Sequence, residues 1–269
     1  MSSATAHDTD DRVILRTQAA VRRFGGLVAV GDVSFELLRG QATGLIGPNG
    51  AGKSTMFDLV TGMRPLSSGE IYFRGKRVTT APAHTRSPMG MARTFQIVRL
   101  FQGLTVLENV LLGFHPQFAD GVIKSLWAGR SAIALEKQSR ERAMEMLEFV
   151  GLAHRAGDAI GHLTLGQLRL VDIARALSSS PVLLMMDEPA AGLNDAETDN
   201  LAQMLVRLKK DGLTMLVVEH DIDFIMSACD KIVVMDRGIK IADGPPDVVR
   251  ADENVIAAYI GRRATDAAH

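Results

Sequence analysis

The sequence predicts an α/β fold: a mostly parallel sheet with helices on both faces, an antiparallel β portion near the start, and an all-helical block inserted mid-chain. Three observations predict it. Short apolar segments recur at Ala42 to Ile46, Val182 to Met186 and Thr214 to Val218, and strands buried on both faces read this way. Each is followed by a helical stretch, which is the rhythm of strand–helix–strand units. Between about 97 and 178 the β-branched runs give way to helix-favouring residues.

In chain order, residues 1–11 are polar and read as a disordered leader. Val13 to Thr17 and Val33 to Leu38 are short and β-like, separated by glycine-rich loops at Gly25-Gly26 and Gly40. Ala42 to Ile46 is a strand that runs into a glycine-rich turn and a helix over about Ser54 to Thr61. Glu70 to Phe73 and Arg77 to Thr79 form a hairpin. Helices are expected over Thr105 to Leu112, Ala132 to Val150 and Gly166 to Leu177. In the second of these, Ala143, Met144, Leu147 and Val150 fall on one apolar face, while Glu141, Arg142, Glu145 and Glu148 lie opposite. The strand Val182 to Met186, helix Ala196 to Lys210, strand Thr214 to Val218, helix Ile222 to Ala228 and strand Lys231 to Met235 complete the core. One domain spans 12–261, and 262–269 is expected as a flexible tail.

Bulk properties exclude several classes. The chain has 269 residues, 46% hydrophobic and 23% charged, with a formal net charge of −1. That balance gives no electrostatic reason to expect nucleic acid. No apolar run approaches the roughly 20 residues needed to cross a bilayer, and the first residues do not form a secretory signal. Cys229 is the only cysteine, so neither an internal disulfide nor a paired-cysteine zinc site can form, and a reducing cytoplasm fits best.

Gly47-Pro48-Asn49-Gly50-Ala51-Gly52-Lys53-Ser54-Thr55 matches G-x-x-x-x-G-K-[ST] between a strand and a helix. Glycines let the backbone curl so that several N–H groups converge on a phosphate. The helix N-terminus adds a partial positive charge. Lys53 places a cation on the outer phosphates, and the Ser54 hydroxyl is a ligand for Mg²⁺. Further on, Val182 to Met186 leads into Asp187-Glu188. A buried parallel strand ends at the carboxyl edge of the sheet, where ligands of α/β folds bind. Asp187 is expected to hold Mg²⁺, directly or through water, and Glu188 to take a proton from an attacking water. A cation is needed to keep two adjacent carboxylates ionised.

These two motifs, together with the following ones, resemble the ATP-binding-cassette (ABC) ATPases over about Val13 to Gly261. Gln96, in Arg93-Thr94-Phe95-Gln96, stands where that family has its Q-loop glutamine, which touches Mg²⁺ and the attacking water. Leu163-Thr164-Leu165-Gly166-Gln167 resembles the signature motif Leu-Ser-Gly-Gly-Gln, with Thr keeping the hydroxyl and Leu165 replacing a glycine. In the family, Thr164, Gly166 and Gln167 would meet the γ-phosphate held by a partner cassette. Ala191-Gly192-Leu193-Asn194-Asp195 resembles the D-loop, with Asn194 where an acid is usual. His220 matches the switch histidine, beside the γ-phosphate. His7, His84, His115, His154, His162 and His269 match no motif and read as structural. Phe24 lies where the family stacks an aromatic on adenine, with core packing the competing reading.

The resemblance is closest to the branched-chain amino acid importer branch. It is carried by Phe24 to Val30, Met91 to Gln96, Glu188 to Asn194 and Val255 to Gly261, with a helical insertion over about Phe114 to Leu135. It implies a phosphate-loop NTPase (RecA-like) core and an ATPase using ATP and Mg²⁺. Also implied are a second cassette, identical or paralogous, transmembrane permease subunits, a solute-binding protein, and a peripheral position on the cytoplasmic face of the inner membrane. Branches carrying urea or amides share much of the pattern. A soluble ABC protein would usually carry two cassettes or a coiled-coil insertion, and a kinase or GTPase would lack Leu163 to Gln167.

Overall fold

The computed structural model describes residues 12–94, 98–114 and 129–266, with backbone only for 129–135 and 260–266. The leader, Gln96 and residues 115–128 of the insertion expected over about Phe114 to Leu135 lie outside these residues.

Two sheets organise the chain. The first joins β1 (Val13–Phe24), β2 (Leu27–Leu38), β4 (Ser68–Phe73) and β5 (Lys76–Arg77) in the antiparallel order β2-β1-β4-β5. The second has the order β10-β9-β3-β8-β7-β6. It is built from β3 (Ala42–Ile46), β6 (Met91–Arg93), β7 (Leu183–Asp187), β8 (Thr214–Val218), β9 (Lys231–Asp236) and β10 (Ile239–Gly244). All of its pairings are parallel except β9 with β10.

Alternate residues of the central strands face different cores. Leu184, Met186, Met215, Val217, Ile232 and Val234 enter one cluster, while Leu183, Met185, Leu216, Val218, Val233 and Met235 enter the other. Because both faces are apolar, these strands read as continuous hydrophobic runs. The helices in order are α1 (Lys53–Thr61), α2 (Ala83–Arg86), α3 (Val106–Leu111), α4 (Gly129–Phe149), α5 (Leu165–Ser178), α6 (Asp195–Lys210), α7 (Ile222–Ala228), α8 (Pro246–Arg250) and α9 (Glu253–Asp266). α1 packs with the antiparallel sheet on one side. α3, α4 and α5 pack together on the other, with Ala143, Leu147 and Val150 of the expected apolar face buried.

Several expectations need correcting. β1 and β2 are each 12 residues long and meet at a two-residue Gly25-Gly26 turn. Bulges at the left-handed residues Ala19 and Asp32 break the inside–outside alternation, so only the strand ends look β-like in sequence. β7 begins at Leu183 and includes Asp187. β6, β10, α8 and α9 have no counterpart in the sequence reading. β6 has three residues, and β10 is an edge strand without a buried alternation. α9 runs to Asp266, into the stretch expected as a tail; Arg262, Arg263 and Ala264 are helix formers and no proline interrupts them.

Candidate active site

Because β9, β3, β8, β7 and β6 run parallel side by side, the loops leaving their carboxyl ends share one edge. The loop after β3 is residues 47–52. Glu219 and His220 follow β8, Asp187 ends β7, and the chain after β6 leads toward Gln96. Ligands of such sheets bind at this edge.

The loop after β3 depends on two glycines. Gly47 has φ 151° and Gly52 φ 97°. A Cβ on Gly47 would lie 2.0 Å from the Met235 carbonyl oxygen, and one on Gly52 would lie 2.4 Å from that of Ala29. No other residue fits either place. The loop is pinned by Ala51 N donating to Pro48 O (3.0 Å) and Gly238 N donating to Ala51 O (2.9 Å). Gly52 caps α1 without a side chain, so the cap itself offers no acceptor to the first amides of that helix. Such an end favours an anion. Lys53 is buried, and its Nζ donates to Gly47 O (2.7 Å) and Pro48 O (3.2 Å). Ser54 is exposed and Thr55 half-buried. Asn49 to Thr55 line a cleft of about 530 Å³ together with Glu188. Leu27 to Ala29, Arg237 and Gly238 form its other wall. Phe24, Asp187 and His220 do not line it.

Asp187 is 6% exposed, and its Oδ1 has no hydrogen-bond partner among the described residues. Burial first, and the charge of Glu188 second, raise its pKa to about 6, opposed by the nearby Arg93 guanidinium. Glu188 sits at φ 48°, a left-handed conformation that costs roughly 1 kcal/mol outside glycine. Its backbone is held by hydrogen bonds at both groups: Glu188 N donates to Val218 O (2.8 Å), and Glu188 O accepts from the Arg169 guanidinium (2.9 Å) and from Ala191 N (3.2 Å). His220 is exposed, its side chain 59% accessible.

The start of α5 is capped by its own residues. Gln167 N donates to Thr164 Oγ1 (3.3 Å), and Thr164 N donates to Gln167 Oε1 (3.0 Å), a reciprocal capping box. Gly166 is buried, and a Cβ there would lie 2.7 Å from Glu197 Oε1. Its lack of a side chain therefore serves contact with α6 within the chain. Leu165 is half-exposed against Gly192, where an added Cβ would meet its Cδ2 at 2.9 Å. Asn194 caps α6: its Oδ1 accepts from Glu197 N (3.0 Å) while Glu197 Oε2 accepts from Asn194 N (3.1 Å).

The profile of the ABC transporter family matches residues 30–191. That of the branched-chain amino acid ATP-binding cassette transporter matches residues 240–265. The chain is 39% identical to the high-affinity branched-chain amino acid transport ATP-binding protein BraF of Pseudomonas aeruginosa, covering 93% of this chain and 98% of the relative. It is 38% identical to the corresponding protein LivG of Escherichia coli, over 92% and 98%. The chain belongs to the ABC transporter family. Among solved structures, a nucleotide-free ATP-binding cassette from an ABC transporter superposes with a TM-score of 0.80 at 33% identity, covering 92% of this chain and 98% of that one. The ADP conformation of such a cassette gives 0.79 at 34%, over 93% and 99%. The protein is thus a nucleotide-binding cassette of a family that hydrolyses ATP.

Within this ABC cassette, Phe24 is 38% exposed, so the core-packing reading is overturned. Its ring carries Arg22 and Arg64, with guanidinium carbons 4.6 and 5.6 Å from the centroid. His84, His154 and His162 are surface residues. The sequence reading missed Glu219, which is fully buried between two backbone amides, and Arg169, which is buried beside Glu188. A charged residue in an otherwise apolar strand-to-loop stretch is the only signal that singles out Glu219. The reading also missed Tyr259 of α9. Its buried hydroxyl faces the Gly47 amide without a regular hydrogen bond, and burial pushes its pKa up to about 12. No local pattern announces that contact.

Proposed function

We propose that this ATPase energises the import of branched-chain amino acids, with Lys53, Ser54 and Glu188 acting on an ATP held in the cleft after β3. One observation carries the reading of the site: Glu188 lines the same cleft as Asn49 to Thr55. The loop amides and Lys53 grip the phosphates, and Phe24, beyond that cleft, supports the adenine. Glu188 takes the proton of the attacking water, and His220 and Gln96 hold the γ-phosphate and that water. The buried, unpartnered Oδ1 of Asp187 and its raised pKa fit a carboxylate that faces a cation. Ser54, Asp187 and Gln96 would hold Mg²⁺, which would supply positive charge against the phosphates. The amino acid assignment rests on the names of the relatives and on the match over 240–265.

Two cassettes stack head to tail in this reading, Thr164, Gly166 and Gln167 of one meeting the nucleotide of the other. The helical block at about 97–178 is then a subdomain within a domain spanning 12–261. Between the block and the core lies a groove of about 520 Å³ lined by Met63, His84, Arg99, Phe101, Leu112 and Arg175. Phe101 is 59% exposed, yet its backbone is fixed at both groups by the buried Asn109 (2.8 and 3.1 Å). A rigidly held exposed aromatic suits a docking site, here for the transmembrane permease subunits, with a solute-binding protein across the membrane. No described helix is long and apolar enough to cross a bilayer, which fits a cassette bound peripherally at the cytoplasmic face of the inner membrane.

Glu188→Gln tests the site. It should keep ATP binding, reduce hydrolysis by a factor of about 100 or more, and trap cassettes as closed pairs seen by size-exclusion chromatography with ATP. Hydrolysis at the normal rate contradicts the assignment. Uptake of labelled leucine by vesicles holding the complete transporter tests the substrate; uptake of urea or an amide instead overturns that part alone.

A further inference from the structure

Arg169 lies in the second turn of α5, with its side chain turned inward and the residue 8% exposed. One guanidinium nitrogen donates to Glu188 O at 2.9 Å, whereas Nε has no hydrogen-bond partner among the described residues. Burial disfavours this cation and lowers its pKa, opposed by the charges of Glu219, Glu188 and Asp172. Glu219 has no solvent exposure. Its Oε1 accepts from Ala190 N (2.8 Å) and its Oε2 from His220 N (3.0 Å), with His220 Nδ1 3.4 Å from Oε2. The loop holding Glu188 is thus tied at residue 188 to the helix capped by Thr164, and at residue 190 to the residue before His220.

Stability alone is a weak reason for this arrangement. A buried guanidinium and a buried carboxylate each lose hydration, and apolar residues of similar volume often serve a fold as well or better. Here one polar atom of the pair is even left without a partner. What the charges achieve, and apolar residues would not, is directional fixing of three backbone groups: Glu188 O, Ala190 N and His220 N.

We propose that Arg169 and Glu219 are positioning residues for hydrolysis, joining the capped start of α5 to Glu188 and His220 of the same chain. This rests on the reading of Glu188 as the base. Arg169 fixes the Glu188 backbone in its left-handed conformation from the second turn of α5, and Glu219 fixes the amides of Ala190 and His220.

The test uses the full chain with four variants: Arg169→Met, Arg169→Lys, Glu219→Gln, and Arg169→Met with Glu219→Gln. Steady-state ATP hydrolysis, ATP affinity by equilibrium titration and the thermal midpoint are measured for each. Arg169→Met should lower kcat by about 10-fold or more with ATP affinity within about 3-fold. Lysine, which keeps a cationic donor, should restore most of the rate. Glu219→Gln offers one acceptor oxygen where two amides need partners, and should also lower kcat by about 10-fold. Groups acting as one unit are not additive, so the double variant should be little slower than the slower single. Unchanged kcat in Arg169→Met overturns the proposal, as do multiplying effects or a parallel fall of affinity, rate and melting point. If Arg169→Met does not fold, Glu219→Gln decides, and a normal rate there overturns it too. Glu188→Gln, run alongside, separates the two ideas. Hydrolysis surviving in Glu188→Gln removes the base on which the proposal rests, whereas its loss with a normal rate in Arg169→Met removes only the link.

Discussion

At Asp187, burial and the adjacent Glu188 both disfavour the ionised carboxylate and move its pKa from 3.8 to about 6. An acid whose folded pKa is raised binds more protons folded than unfolded between those values, so its contribution to stability falls as pH rises through the window. Above pH 6 the cost is fully present, on the order of 1–3 kcal/mol for a shift of about two units. Asp187→Asn removes the charge and keeps the shape. Without nucleotide and divalent cation, it should melt several degrees higher than the parent at pH 7.5, and the gap should narrow at pH 5. Scanning calorimetry at the two pH values checks this, and a gap that is equal at both, or reversed, contradicts the burial argument. With Mg²⁺ and ATP the ranking should invert, since the substitution removes a proposed cation ligand.

Among the elements, α5 and α6 show how a departure from the usual family residue can have a local reason. Asn194 replaces an acid and forms a reciprocal capping box with Glu197, satisfying two amides at the start of α6. Asparagine and aspartate cap about equally well, whereas alanine costs about 1 kcal/mol. Asn194→Ala should therefore lower stability by about that amount in urea unfolding, and Asn194→Asp should hold it within a few tenths of a kcal/mol. If alanine is neutral, the cap contributes nothing. The same N-terminus abuts Gly166, and Leu165 covers Gly192, so α5 and the D-loop are packed together inside one chain. The Leu165 side chain is thus part of an intrachain contact, which no motif comparison conveys.

For the whole molecule, the relevant face is the groove between the helical block and the core. Its rim carries Arg99, Arg175 and the exposed Phe101, and the guanidinium of Arg175 also donates to the Arg99 carbonyl (2.7 Å). Phe101→Asp puts a charge on this face while leaving the Asn109 bonds, which use only backbone groups of residue 101. It should reduce co-purification with the membrane subunits by about 10-fold and leave ATP affinity of the isolated cassette unchanged. Full recovery of the complex from detergent would exclude this groove as the docking site.

The sequence by itself determined the glycine-rich loop after β3, the position of Glu188 after a buried strand, and the parallel core, because each is encoded locally. A glycine pattern forces one backbone path, and a doubly buried strand must be apolar throughout. It also placed the apolar face of α4, since Ala143 and Leu147, with Val150 just past the helix end, recur at the helical period and are buried. Tertiary structure alone decided the rest. Glu219 and Ala190 are 29 residues apart, and Arg169 and Glu188 are 19 apart, yet each pair meets at hydrogen-bonding distance. Tyr259 and Gly47 are likewise remote in sequence and neighbours in the fold. Such contacts depend on which strands become neighbours, and a buried charge shows its partner only after the sheet order has brought the two segments together.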